Sequence, residues 1–385
     1  MENKGVVVLK TILLVNGAMN FGGSEVMIMD IVRKLHKDFR FVFLINRKKS
    51  TQPVAVFDEE IKSLNIPIYY IDAVWDVGVK EYERQFRNII NKIGTVDIIH
   101  GHLNSKGGII SRCAYKCGIK RRIVHSHAQI IFDGSLIRRI ANILELKIQR
   151  HWIKKYATDF WGCSDEAMLS LFNSKQIKSK RSKIIHNAID LDRFLNCTNG
   201  ILRNELKLES SEIIIGSIGR IVPVKNYRLA SEVIKELWRR GVDVHYVVAG
   251  EKQNTVESNY LFDALSFDKR FHYFDVRSDV QNLYKDFDIY LGTSKREGLG
   301  LSVVEAQASG TNCVVSTGFP KLCDIGVGLV NFVDSTDPVQ WADKIEYMLN
   351  NKVVLDKNDI ANAVKNAGFD IINESKRLKE LYNLD

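Results

Sequence analysis

Two glutamates, Glu297 and Glu305, stand eight positions apart in "SKREGLGLSVVEAQASG" (residues 294–310), with Gly298 and Gly300 between them. Glu305 falls inside "LSVVEAQA", where Leu301, Val304 and Ala308 recur at helical spacing. Just upstream, "DIYLGTS" is an apolar run of strand length, so the local unit reads as strand, glycine loop, helix N-terminus. Such a unit binds anions, because first-turn N–H groups lack intrahelical acceptors and carry partial positive charge. Carboxylates beside it can accept hydrogen bonds from ligand hydroxyls. An ordinary strand-to-helix turn with a solvated Glu297 gives the same local pattern, and the rest of the chain must decide.

A second loop points the same way. In "IIIGSIGRIVPVKN" (residues 213–226), Gly219 ends a strand and Arg220 and Lys225 occupy the loop before the next helix. A guanidinium and an ammonium there suit the oxygens of a diphosphate, although solvated basic residues are the plain alternative. Near the start, Gly22 and Gly23 of "NFGGSE" permit close backbone approach to a ligand, or simply make a turn. "RIVHSHAQ" closes a strand with His125 and His127. The six cysteines at 113, 117, 163, 197, 313 and 323 are scattered, as reduced thiols would be. His100 and His102 near Cys113 and Cys117 suggest zinc, but the spacing fits poorly. Asp190 with Asp192, and Asp286 with Asp288, form Asp-x-Asp pairs of the kind that arises by chance in a chain with 46 acidic residues.

These residues need elements to hold them. Apolar runs of strand length, "KTILLV", "RFVFLI", "IPIYYI", "VDIIHGH" and "RRIVHSH", alternate with helical stretches in the first half. "EIIIGSIGR", "VHYVVAG", "RFHYFDV", "DIYLGTS" and "TNCVVST" repeat the scheme in the second. The alternation predicts two doubly wound α/β domains, with the boundary within residues 182–194 and ligands beyond the carboxyl ends of the strands, in a cleft where the domains face each other. A length of 385 residues suits two domains of about 190 each.

The composition, 45% hydrophobic and 26% charged, is that of a soluble globular protein. "MENKGVVVLKTILLVNG" reads as the first strand of a cytosolic protein rather than a signal peptide. The net charge of +9 predicts an anionic partner. Residues 136–156 predict a basic amphipathic helix with Ile137, Ile140, Leu144, Ile148 and Trp152 on one face. Between Arg138 and Lys155, six Lys or Arg face the single acidic residue Glu145. Either a solvated helix or a helix lying on an anionic membrane fits that pattern.

Taken together, Gly219, Arg220, Lys225, Glu297 and Glu305, with "FGGSE" and the hinge-like "HNAID", resemble the signature of retaining glycosyltransferases of family four, which have the GT-B fold. The likeness runs over nearly the whole chain and is strongest to bacterial enzymes of capsular or extracellular polysaccharide synthesis. It implies a first domain at 1–187, a nucleotide-sugar domain at 188–366, and a C-terminal helix at 367–385 returning to the first domain. It implies transfer of a sugar from a UDP-sugar to a glycan or lipid-linked saccharide, on the cytoplasmic side and without a divalent metal. By this resemblance Arg220 and Lys225 hold the donor diphosphate, assisted by Gly22, Gly23, Gly219 and the backbone of Gly298, Leu299, Gly300 and Leu301. Glu305 takes the ribose hydroxyls, Glu297 the donor sugar, and His127 rather than His125 meets that sugar. Two other classes compete. An NADP oxidoreductase would use the "NFGGSE" turn and "NRKK", but "GAMNFGG" lacks GxGxxG spacing. A nucleic-acid binder is suggested by charge alone, and no nucleic-acid motif is present.

Overall fold

The computed structural model describes residues 9–20, 22–47, 54–130, 132 and 135–384; Phe21 of "FGGSE" and Lys48 and Lys49 of "NRKK" lie outside them. The chain divides into one unit of residues 1–187 with 371–385 and a second of residues 188–370.

The first unit is built on seven strands: β1 (Thr11–Asn16), β2 (Arg40–Asn46), β3 (Ile68–Ile71), β4 (Ile98–Gly101), β5 (Arg121–Ser126), β6 (Asp159–Gly162) and β7 (Ser182–Ile184). Their order is β3-β2-β1-β4-β5-β6-β7, and every neighbouring pair is parallel. Helices cover both faces of such a sheet, which is why "TILLVN" is buried along its whole length and reads as a continuous apolar run. Strands β6 and β7 are not apparent as apolar runs. "DFWG" and "SKI" carry polar or Gly residues that break any apolar run, and they form because an edge of the sheet is ready to pair with them. Trp161 of β6 is wholly buried.

The second unit has β8 (Ile213–Ile218), β9 (Val244–Ala249), β10 (Phe271–Phe274), β11 (Ile289–Gly292), β12 (Asn312–Ser316) and β13 (Val330–Val333). They are ordered β10-β9-β8-β11-β12-β13 and are again all parallel. Strand β13, "VNFV", is an edge strand that the sequence pattern does not show. In each sheet the winding reverses once, at β1/β4 and at β8/β11. Ligands of doubly wound sheets bind beyond the strand ends at such a reversal, because the two outgoing loops part there and open a crevice.

The chain rejoins the first unit at Ile371, later than the expected 367. Phe369 is wholly buried in the second unit's core, and Asp370 bridges to Ile189, so residues 367–370 stay there. The helix Ile371–Asn383 is then tied down in the first unit. Arg121 donates to the carbonyls of Leu381 and Leu384 at 2.6 and 2.9 Å, and the Tyr382 ring stacks on Trp161 with centroids 6.0 Å apart.

The helix Leu136–Tyr156 has the bounds its sequence suggests, and its start is capped by the Ser135 hydroxyl. It buries Leu146, Gln149 and Ile153. It lies close over Gly108, where an added Cβ would stand 2.4 Å from the Gln149 carbonyl oxygen. The stripe of Ile137, Ile140, Leu144 and Ile148 is on the other side and exposed, Ile137 by 82%. No helix among the described residues is long and apolar enough to cross a membrane.

Candidate active site

Both loops singled out in the second unit leave the sheet at its reversal, one after β8 and the other after β11. The first begins at Gly219, whose φ of +146° few side chains adopt. Its amide donates to the Ala249 carbonyl at 2.9 Å, and its carbonyl accepts from the buried Tyr227 hydroxyl at 2.8 Å. A Cβ here would crowd the end of Lys225, at 3.3 Å from Cε. Glycine therefore lets the Lys225 ammonium lie against the backbone. Arg220 projects into solvent and has no carboxylate partner among the described residues.

The second loop is anchored on the first. Lys295 N–H donates to the Val224 carbonyl at 2.8 Å, and the Thr293 hydroxyl donates to the carbonyls of Lys225 and Asn226 at 3.1 and 3.0 Å. Glu297 N–H donates to the Gly318 carbonyl at 2.9 Å. Its side chain receives two donors on one oxygen, the Lys225 ammonium at 2.8 Å and the Ser294 hydroxyl at 2.6 Å. Both donors converge on Oε1, so Oε2 keeps its lone pairs for a ligand, as two of the three ammonium protons of Lys225 remain for anionic oxygens. Lys225 and Glu297 are both largely shielded, with side-chain exposures of 23% and 16%.

Gly300 adopts φ +83° as the residue before the helix Leu301–Ala308, and a Cβ there would lie 2.7 Å from the Phe319 ring. The tight turn aims the helix start outward. Among the described residues, none accepts from the N–H groups of Gly298, Leu299, Gly300 or Leu301. Glu305 sits on the next turn, where the Tyr284 hydroxyl donates to its Oε2 at 3.0 Å. Tyr284 is wholly buried, and burial beside Glu305 pushes its own ionisation up, so it remains a neutral donor. The structure thus brings Gly219, Arg220, Lys225, Glu297, the glycine loop and Glu305 together around one sheet reversal. Cations, free N–H groups and two oriented carboxylates in that setting can hold a polyanion with hydroxylated groups attached.

The first-unit residues are placed by a different logic. Gly22 and Gly23 lie at the start of the helix Gly23–Leu35, with Gly22 as its extended cap. An added Cβ at Gly22 would meet the Glu25 carboxylate at 2.3 Å. His127 follows β5, with its N–H donating to the Asn104 side chain at 2.6 Å and its Nε2 2.8 Å from His102 Nδ1. Burial lowers His127 to about 4; the Asn187 amide, close by but out of hydrogen-bonding geometry, opposes that shift weakly. His125 points into the core and is paired with His100, whose burial beside the other imidazoles drives both well below the usual histidine value. These rings are therefore neutral at physiological pH.

The Asp286–Asp288 pair has structural duties. Asp286 accepts from the N–H groups of Gly200 and Leu202 at 2.6 and 2.7 Å, and Asp288 pairs with Arg203 and Lys352. Both stand just before β11, at the end of the sheet away from the glycine loop. Three supporting residues escape a reading of the sequence: Ser294, Tyr284 and Tyr227. Ser294 had a local signal, a serine three residues before the glutamate it contacts. Tyr227 opens the helix that follows the first loop and Tyr284 lies 21 residues before Glu305, and neither had such a signal.

Comparison with known proteins gives these sites a context. The sequence profile described as "Glycosyl transferases group 1" matches residues 199–367, which hold the whole second-unit site. The chain is 30% identical over 349 residues to a Bacillus subtilis (strain 168) protein named "Putative glycosyltransferase EpsF", covering 87% of each chain. It is 26% identical over 302 residues to an Escherichia coli enzyme named UDP-Gal:alpha-D-GlcNAc-diphosphoundecaprenol alpha-1,3-galactosyltransferase, covering 74% of this chain and 75% of that one. In fold it is similar to Anabaena HepE, solved in complex with UDP, with a TM-score of 0.76, 16% identity, and coverage of 97% and 100% of the two chains.

Proposed function

This chain belongs to the group 1 glycosyl transferase family, and on that premise we propose that it moves a sugar, with retention of anomeric configuration, from a UDP-sugar to a hydroxyl of a lipid-linked saccharide used in bacterial polysaccharide synthesis. The observation that carries the reading is the pairing of the Arg220–Lys225 loop after β8 with the glycine loop and helix start after β11, on neighbouring strands at the sheet reversal. The similar Escherichia coli galactosyltransferase is named for a UDP-sugar donor and a diphosphoundecaprenol acceptor, and that favours the same classes here.

In this reading Arg220, Lys225 and the N–H groups of residues 298–301 bind the donor diphosphate. Negative charge on the leaving UDP grows as the glycosidic bond breaks, so these contacts strengthen toward the transition state. Glu297, fixed by Lys225 and Ser294, orients donor-sugar hydroxyls through Oε2. Glu305, fixed by Tyr284, receives the ribose hydroxyls. His127 offers a neutral imidazole to the donor sugar. Fixed cations and the helix start supply the charge that a divalent metal supplies elsewhere, so transfer proceeds without one.

The helix Leu136–Tyr156 holds the first unit at an anionic membrane surface, where a lipid-linked acceptor resides. Its exposed Ile137, Ile140, Leu144 and Ile148 enter the headgroup boundary, and its basic residues meet the lipid phosphates. A thermal-shift and calorimetric screen of UDP- and GDP-sugars, repeated on Arg220→Ala, tests the donor assignment. Stabilisation by a UDP-sugar that is reduced in the variant is expected; no response to any nucleotide sugar overturns it. The stereochemistry is read by following the anomeric proton of the first-formed product.

A further inference from the structure

Four histidines crowd the ends of β4 and β5, and three of their ring nitrogens, His102 Nε2, His125 Nε2 and His127 Nδ1, have no hydrogen-bond partner among the described residues. The register sets His100 beside Ile123 and Gly101 beside Val124. Alternate residues of a strand share a face, so His100 and His102 rise next to His125 and His127. The His100 and His125 rings stack at 5.3 Å, and those of His125 and His127 at 4.1 Å. One nitrogen from each of His100, His102 and His125 can be chosen so that all three lie within 4.8 Å of one another. His100 Nε2 and His125 Nδ1 are 3.1 Å apart. Two imidazole nitrogens on one tetrahedral zinc, with Zn–N near 2.0–2.1 Å, stand about 3.4 Å apart.

The outer contacts suit the same purpose. His100 Nδ1 lies 2.7 Å from the Tyr382 hydroxyl, and His102 Nδ1 lies 2.8 Å from His127 Nε2. In the tautomer where His100 Nδ1 donates to the Tyr382 hydroxyl and His102 Nδ1 donates to His127, each ring keeps its Nε2 lone pair, as metal-ligating histidines require. The Nε2 of His102 is buried and has no partner among the described residues.

We propose that His100, His102 and His125 bind a divalent metal ion of the zinc class. Three neutral imidazoles without a carboxylate or thiolate suit zinc, cobalt, nickel or copper, and not magnesium or calcium, which take oxygen ligands. The ion links the ends of β4 and β5 and, through Tyr382, braces the C-terminal helix against them. A bound water or hydroxide completes the tetrahedron. The proposal concerns the first unit alone and touches the donor reading only at His127, which contacts His102 and His125.

The test reads metal directly. Elemental analysis of the full chain, purified without chelator or affinity metal, should find one zinc per chain. Zinc added to the stripped chain should raise its unfolding temperature. His100→Gln should abolish both effects, and His245→Gln, at the separate His245–His272 pair of the second unit, should retain them. Absence of zinc binding at saturating concentration, or full retention in His100→Gln, overturns the proposal. If His100→Gln does not fold, the visible spectrum of the cobalt-loaded native chain decides. Intense tetrahedral nitrogen-ligand bands support the site; thiolate charge-transfer bands or the weak spectrum of an octahedral ion overturn it.

Discussion

The two units share a strand order and differ in what they place where it reverses. At the ends of β8 and β11 the second unit has Arg220, Lys225 and Glu297 in a partly open setting. At the ends of β1, β4 and β5 the first unit has Asn16, His100, His102, His125 and His127, all buried. Charge is kept where solvent or an anionic ligand can stabilise it; in the closed setting only neutral polar groups persist, and burial holds the histidines neutral. One topology thus makes two crevices, and side-chain content decides which of them can take a polyanion.

The largest effect that tests this contrast is expected from Lys225→Ala. It removes a cation from the proposed diphosphate site and leaves the shielded Glu297 with only the Ser294 hydroxyl as a donor. A charge-assisted hydrogen bond contributes about 1.5–3 kcal/mol, so turnover should fall roughly ten- to hundredfold while the donor KM rises less. Arg220→Ala should cost about tenfold, and the double variant less than the product of the two, since both act on the same phosphates. Wild-type kinetics and UDP affinity in both single variants would mean that the charged crevice is an ordinary solvated surface.

His127→Ala sharpens the contrast from the neutral side. Turnover should fall by up to about tenfold, the order of one neutral hydrogen bond, while calorimetric UDP affinity stays unchanged. Equal losses in both would erase the division of labour. Tyr284→Phe is a milder probe of the second unit. Loss of its hydrogen bond to Glu305 should weaken UDP binding about fivefold, and binding of inorganic diphosphate not at all.

Replacing Arg138, Arg139, Lys154 and Lys155 by Gln should reduce sedimentation with acidic liposomes, at about 1 kcal/mol per residue near the surface, with donor affinity intact. Unchanged liposome binding at low salt would leave the exposed apolar stripe unexplained by membrane docking. The smallest expected effect is none: transfer assayed with excess EDTA should match the untreated rate. Loss on chelation, restored by manganese or magnesium, would show that the cationic crevice needs help. A slowly exchanging ion at the histidines is separated from that outcome by its measured zinc content.

The sequence by itself determined the local facts. Apolar runs of strand length located ten strands, because a parallel sheet buries both faces and leaves no alternation to decode. Glycines before cations and before a helix marked the second-unit loops, because positive φ and close backbone approach demand glycine wherever they occur. The basic helix at 136–156 was legible from charge and periodicity, but the side on which it packs was not, since its buried residues Leu146, Gln149 and Ile153 lie opposite the apolar stripe.

Tertiary structure alone decided what depends on pairing between distant segments. Strands β6 (DFWG), β7 (SKI) and β13 (VNFV) offer no unbroken apolar run to declare them, and they pair because a neighbour offers its edge. Lys225 and Glu297 meet across 72 positions, and His100 reaches Tyr382 across 282. The two histidine pairs, "HGH" and "HSH", were each visible in the chain, yet their convergence was not. Register between β4 and β5 is set by the packing of the whole sheet, and a slip of one residue would have turned one pair to the opposite face.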